Sequence, residues 1–210
     1  MLTKAPIFGT FTNMNQADDR HIITCQQVLT GDGSVFSVQG TVLPACHATT
    51  LTPSFILDEY LAYLRRFTLS LARPAWTPHG LEFRFFFTKM CILVFAPPQY
   101  AETGRSRSVT LPICGGHFVQ GEQCNRGRFS FLSEICPEGV RVTVELSDYF
   151  PRLLGSGTPS FFRKWLYRLT QAALHKLMTT RFLAALHGKL TGTSPSFRIV
   201  KTCERPGEEI

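Results

Sequence analysis

The chain has 210 residues, of which 44% are hydrophobic, 12% aromatic and 18% charged, with a formal net charge of +7. That length allows one ordinary domain or two small ones, and the composition excludes a disordered chain, a collagen-like fibre and a coiled-coil rod. No run approaches the ~20 unbroken apolar residues of a membrane-spanning helix; the longest candidate, Met90–Pro98, is strand-sized.

In chain order, residues 1–20 read as a flexible N-terminal arm, 21–192 as a single α+β domain and 193–210 as a C-terminal tail. His21–Leu29 predicts a short strand, Gly31-Asp32-Gly33 a turn, and Ser34–Leu43 its hairpin partner. Thr52 is an N-cap with Pro53 at the first helical position, which predicts a helix from Ser54 to about Ala72. Leu81, Phe83, Phe85 and Phe87 alternate with Glu82, Arg84, Phe86 and Thr88, a period-two strand. Met90–Ala96 predicts the next strand, stopped by Pro97-Pro98, and a polar loop leads to another over Ser108–Ile113. Gly115-Gly116 interrupts it before a short strand His117–Gln120. Arg128–Ile135 and Val140–Leu146 complete what the short links make an antiparallel meander.

The last predicted element is a long helix, about Ser160–His187. At 100° per residue, Phe162, Trp165, Leu166, Leu169, Ala172, Ala173, Leu177, Leu183 and Ala184 share one side, expected to face the core. Arg163, Lys164, Arg168, His175, Arg181 and Lys189 fall on the other, with Leu174, Met178, Phe182 and Leu186 among them.

The charge is regional. Residues 1–148 carry 12 cations and 12 anions, whereas Tyr149–Cys203 carries nine cations and no Asp or Glu. Such a surface attracts phosphates, anionic lipids or an acidic protein, and it is also what a plain solvated helix face looks like. Seven cysteines, an odd number, follow an opening stretch, Met1–Phe11, without the pattern of a signal peptide. A reducing, cytoplasmic setting is expected, with peripheral membrane contact through the basic helix.

The end of the chain carries a family likeness: Val140–Leu146 as last strand, Phe150-Pro151 and Leu153-Leu154-Gly155, then the helix through Leu190. With the preceding order of strand, helix and strand meander, this resembles the helix-grip fold of the SRPBCC superfamily, which includes START-like lipid-binding domains and polyketide cyclases. The likeness rests on element order. It departs from the family in having one longer helix where a pair of short ones is usual, and in the 1–20 arm. The resemblance implies a curved antiparallel sheet wrapped around the last helix with a cavity between them. Phe83, Phe85, Phe87, Phe129 and Phe131 would then face Phe162, Trp165, Leu169 and Ala173, with His117, Glu134 and Arg84 as polar groups able to orient a ligand. The same aromatics would equally make a close-packed core.

Reactive constellations are sparse. Cys114, His117, Cys124 and Cys136 are metal-ligand types, but only the first two have knuckle spacing, so no metal site is assigned. Glu134 and Glu145 lie on different strands and make no evident acid/base pair. No nucleophile elbow, phosphate loop, dinucleotide fingerprint or H-E-x-x-H occurs, and no catalytic residue or cofactor is expected. The reading is a non-catalytic binder or carrier of a hydrophobic small molecule or lipid. The alternative is an interaction protein whose basic face, Arg163, Lys164, Arg168, Arg181 and Lys189, takes an acidic protein, an anionic membrane or, with least support, nucleic acid. A third is an enzyme on the same scaffold using His117 with Glu134 or Arg84.

Overall fold

Alternating apolar and polar residues pair into one mixed sheet in the computed structural model, which describes residues 21–86, 88–193 and 196–210. The expected arm 1–20 and Phe87 lie outside the described residues. The strands are β1 (His21–Leu29), β2 (Val35–Leu43), β3 (Ala72–Thr77), β4 (Gly80–Phe85), β5 (Cys91–Phe95), β6 (Gln99–Thr103), β7 (Ser106–Gly115), β8 (Arg128–Cys136), β9 (Gly139–Tyr149), β10 (Phe197–Lys201) and β11 (Glu208–Glu209). The helices are α1 (Pro53–Phe67), α2 (Phe161–Tyr167) and α3 (Ala173–Thr191). The spatial order is β10-β1-β2-β9-β8-β7-β5-β4-β3, with β6 also on β7 and β11 also on β1. Every pairing is antiparallel except β1 with β10, which makes the sheet mixed where a purely antiparallel one was expected. The 193–210 segment, expected as a tail, thus joins the sheet through β10 and β11.

The predicted first helix begins where expected and stops early. Thr52 Oγ1 accepts the backbone N–H of Phe55 at 3.2 Å, and Pro53 occupies the first turn. At the other end the Thr68 hydroxyl donates to the Leu64 carbonyl at 2.8 Å, and Leu69 and Ser70 take left-handed φ values of 51° and 64° that no helix continues. The chain freed by this break forms β3, whose Pro74 is tolerated because β3 lies at the end of the sheet. The expected strand His117–Gln120 is instead a turn with a single bridge, Val119 to Pro151. Gly116 sets that turn: its φ is +118°, and a Cβ there would sit 2.4 Å from the Ile92 carbonyl oxygen. The polar loop expected before Ser108 contributes β6.

Both α1 and α3 pack on one face of the sheet. Tyr60 of α1 is the keystone, edge-on to Phe129 (5.3 Å) and Phe131 (5.0 Å) of β8 and to Phe182 (5.2 Å) of α3. Val109, Leu111, Val142 and Val144 continue this core along β7 and β9. No helix among the described residues is long and apolar enough to cross a membrane.

The C-terminal helix corrects the sequence reading most. It is not one regular α-helix: residues Arg168–Ala172 form a π-helical turn between α2 and α3. The Gln27 side chain donates to the Ala172 carbonyl at 3.2 Å, satisfying backbone at that turn. The buried stripe is Tyr167, Met178, Phe182, Leu183 and Leu186, so three of the four apolar residues placed among the cations are core. Phe162 (65% exposed), Trp165, Leu169 (57%), Ala173 and Leu177, expected to face the sheet, lie on the outside.

Candidate functional site

Between the sheet, α1 and the π-helical turn lies an apolar cavity of about 180 Å³. Phe83 and Phe95 come from β4 and β5, Phe129 and Leu146 from β8 and β9, Tyr60 and Leu64 from α1, and Tyr167, Leu174 and Met178 from the helix. Its mouth lies where the lining residues Leu174, Ile92 and Phe118 reach the surface. No Asp, Glu, Lys or Arg lines it among the described residues.

Two polar side chains enter this apolar wall from the helix, Gln171 and His175. They are one turn apart, so both point the same way. Gln171 Oε1 and His175 Nε2 are shut off from solvent and have no hydrogen-bond partner. A buried polar atom left so costs about 1–3 kcal/mol, and native chains keep few of them. Burial presses the His175 pKa down to about 4, so the imidazole is neutral at physiological pH and its Nε2 can accept or donate according to tautomer. The ring stands edge-on to Phe129 at 6.1 Å. Opposite, the Tyr149 hydroxyl is already engaged, donating to the Phe118 carbonyl at 2.9 Å, and burial raises the pKa values of Tyr149 and Tyr167 so that both stay protonated. The site therefore offers neutral hydrogen-bonding groups in a low-dielectric pocket.

Of the residues singled out from sequence, Phe83 and Phe129 line this cavity and Phe131 is buried beside them. Phe85 is exposed at the end of β4, and Phe162, Trp165, Leu169 and Ala173 face away. His117 is exposed, its backbone N–H donating to Cys91 while the neighbouring Phe118 lines the cavity. Arg84 is held by Glu82 at 2.8 Å on a strand next to that same Cys91. Glu134 pairs with Arg141 at 3.9 Å, at the end of β7 remote from His117, so a His117–Glu134 pair is not assembled. Glu145 lies opposite Ser130, four β8 residues and roughly 13 Å from Glu134. Among the described residues no three His, Cys, Asp or Glu side chains approach as a metal site would require; Cys136 ends β8, away from Cys114.

The basic face is partly neutralised from within. Lys164 pairs with Glu208 and Lys189 with Glu59, each at 2.5 Å, and Glu209 is stabilised as an anion by Lys201 and, more weakly, by Arg168 and Lys176. Arg163 and Arg181 remain exposed. A wider cleft of about 550 Å³ between Thr30–Gly33 and Gly155–Pro159 is more polar, and its charges are taken: Asp32 is bonded by Thr30, Ser34 and Arg126, and Lys164 by Glu208.

No protein-family model matches the chain, and no match is found among curated proteins or solved structures. Gln171, which the sequence reading passed over, and His175, which it placed on the outer basic face, both turn inward; they were legible only as a break in hydropathy within the spacing Tyr167, Gln171, His175, Met178, Phe182 and Leu186.

Proposed function

We propose that the protein is a non-catalytic binder or carrier of a small, neutral, mainly apolar molecule, held between sheet and C-terminal helix on a helix-grip scaffold of the SRPBCC type. The observation that carries this reading is the pair of polar side chains, Gln171 and His175, whose Oε1 and Nε2 lack partners on the wall of an otherwise apolar cavity. A ligand hydroxyl that donates to Gln171 Oε1 and accepts from His175 in its Nε2–H tautomer would satisfy both, and a ring N–H would satisfy one. The scaffold reading is supported by the order β2-β9-β8-β7-β5-β4-β3 with the long helix following β9. The chain adds β1, β10 and β11 beyond β2.

The size sets the ligand class. About 180 Å³ falls below the roughly 300–1,000 Å³ of drug-sized sites, and apolar cavities of about 150 Å³ accept benzene. A one- or two-ring molecule with a single hydroxyl or N–H fits better than a long acyl chain. The reading is tested by thermal melting with indole and 1-naphthol, each compared with naphthalene. A ligand present at 100 times its Kd stabilises by about 2.7 kcal/mol, so a clear rise in Tm is expected for the hydroxylated or N–H ring. Gln171→Leu should erase its advantage over naphthalene while leaving the fold intact. Unchanged Tm with all three probes would overturn the reading.

A further inference from the structure

Around the mouth of the cavity the chain exposes large apolar side chains to solvent. Thr68 and Ala72 line the cavity, and the loop between them carries Leu69, 85% exposed, and Leu71. The β4–β5 turn lies against this loop, Phe86 N–H donating to the Leu71 carbonyl at 2.6 Å, and presents Phe86 and Met90. Across the opening the helix adds Leu174, 53% exposed, and Leu177. Patches of this kind mark interaction surfaces.

Two further observations point the same way. Among the described residues, Leu69, Ser70, Asn125, Asp148 and Phe86 are the non-glycine positions with positive φ, and three of the five lie in these two turns. Leu and Phe are poor occupants of left-handed backbone, and such strain collects at functional segments. The charge is also one-sided. Arg65, Arg66, Lys89 and Arg181 stand exposed beside these segments, with no carboxylate partner among the described residues. Residues 60–101 contain a single acid, Glu82, which is occupied by Arg84, and residues 149–203 contain none.

We propose that this rim docks the mouth of the cavity onto an anionic lipid bilayer, Leu69, Leu71, Phe86 and Met90 entering the headgroup–acyl boundary while Arg65, Arg66, Lys89 and Arg181 meet lipid phosphates. Apolar side chains flanked by cations are the composition that interfacial binding requires, since burial and attraction to anionic headgroups add. A partner surface that was acidic alone would engage the cations and give the four apolar tips nothing to bury against. The proposal stands independently of the cavity ligand: docking depends on the rim, ligand binding on Gln171 and His175.

The test is co-sedimentation of the full chain with phosphatidylcholine vesicles, with and without phosphatidylserine. Binding to the anionic vesicles is expected to be at least about tenfold tighter, given ~1 kcal/mol per cation at the surface, and to weaken with salt. The decisive variant is Leu69→Asn with Phe86→Asn. Asparagine suits left-handed backbone, so the melting temperature should hold or rise while vesicle binding falls at least about fivefold as apolar area is lost. Failure of the wild-type chain to sediment with either vesicle, or an Asn variant that binds as well as wild type, would overturn the proposal. A dimer in light scattering that the Asn variant dissociates would overturn it too, assigning the rim to a second copy. Arg66→Glu with Lys89→Glu should cut anionic-vesicle binding and leave the 1-naphthol response unchanged.

Discussion

Phe182→Ala is expected to cost about 3–5 kcal/mol of folding free energy, measured by urea denaturation. Phe182 is almost fully buried, edge-on to Tyr60 at 5.2 Å and tilted against Tyr63 at 5.8 Å. It fastens α3 to α1, and through Tyr60 to Phe129 and Phe131 of the sheet. Truncation removes the transfer free energy of the ring, leaves a void between three rigid elements, and forfeits edge-to-face contacts worth about 0.5–1.5 kcal/mol beyond area. The matched control is Phe162→Ala: that ring is 65% exposed on α2, and its loss should change stability by no more than about 0.5 kcal/mol. The pair discriminates between the two orientations of the helix, because the unbroken 100° projection predicts the reverse ranking. A larger cost for Phe162→Ala would refute the helix placement and the cavity with it.

The second large effect is a loss of stability in mild acid. Burial lowers the His175 pKa from 6.5 to about 4 in the folded chain. Between these values the unfolded state binds the proton and the folded state does not, so stability is present in full above about pH 6.5, declines as pH falls, and levels off below about pH 4. A shift of that size is on the order of 3 kcal/mol. His21 adds to the same window. Its pKa is also lowered to about 4, first by burial and then by the adjacent His187, whose ring lies 3.9 Å away. His175→Leu separates the two: it should flatten part of the slope between pH 4 and 6.5, and raise stability near pH 7 by about 1–3 kcal/mol by removing an unpartnered buried nitrogen. Urea titrations across that range check both. A His175→Leu slope equal to wild type would show that the ring is solvated in the folded protein.

Much of the sheet was legible because alternation survives in strands with one buried face. Val140, Val142 and Val144 pointed to β9, and Phe129 and Phe131 to β8. β3 was hidden by Pro74 and by the apolar Leu69 and Leu71, which extend a helical pattern past the point where left-handed backbone ends it. The helix orientation failed for a related reason. Its inward stripe carries Gln171 and His175 at its centre, and its outer face carries Phe162, Trp165 and Leu169, so hydropathy ranks the wrong side as core. The π-helical turn also breaks the constant angle that a helical projection assumes. The polar pair that makes the candidate site is thus the same pair that concealed it.

The outermost strands have a consequence for the integrity of the sheet. β1 is nine residues long and includes Ile23, Val28 and Leu29. Its outer edge is covered in two pieces, by β10 along His21–Cys25 and by β11 along Val28–Leu29. The chain crosses between them with Glu204 and Arg205 N–H groups donating to Gln26. Removing residues 197–210 would leave β1 with a row of unpaired N–H and C=O groups, the template along which strands of separate molecules join. The C-terminal segment is therefore the guard of an aggregation-prone edge, and a chain shortened at that end would be expected to self-associate before it unfolds.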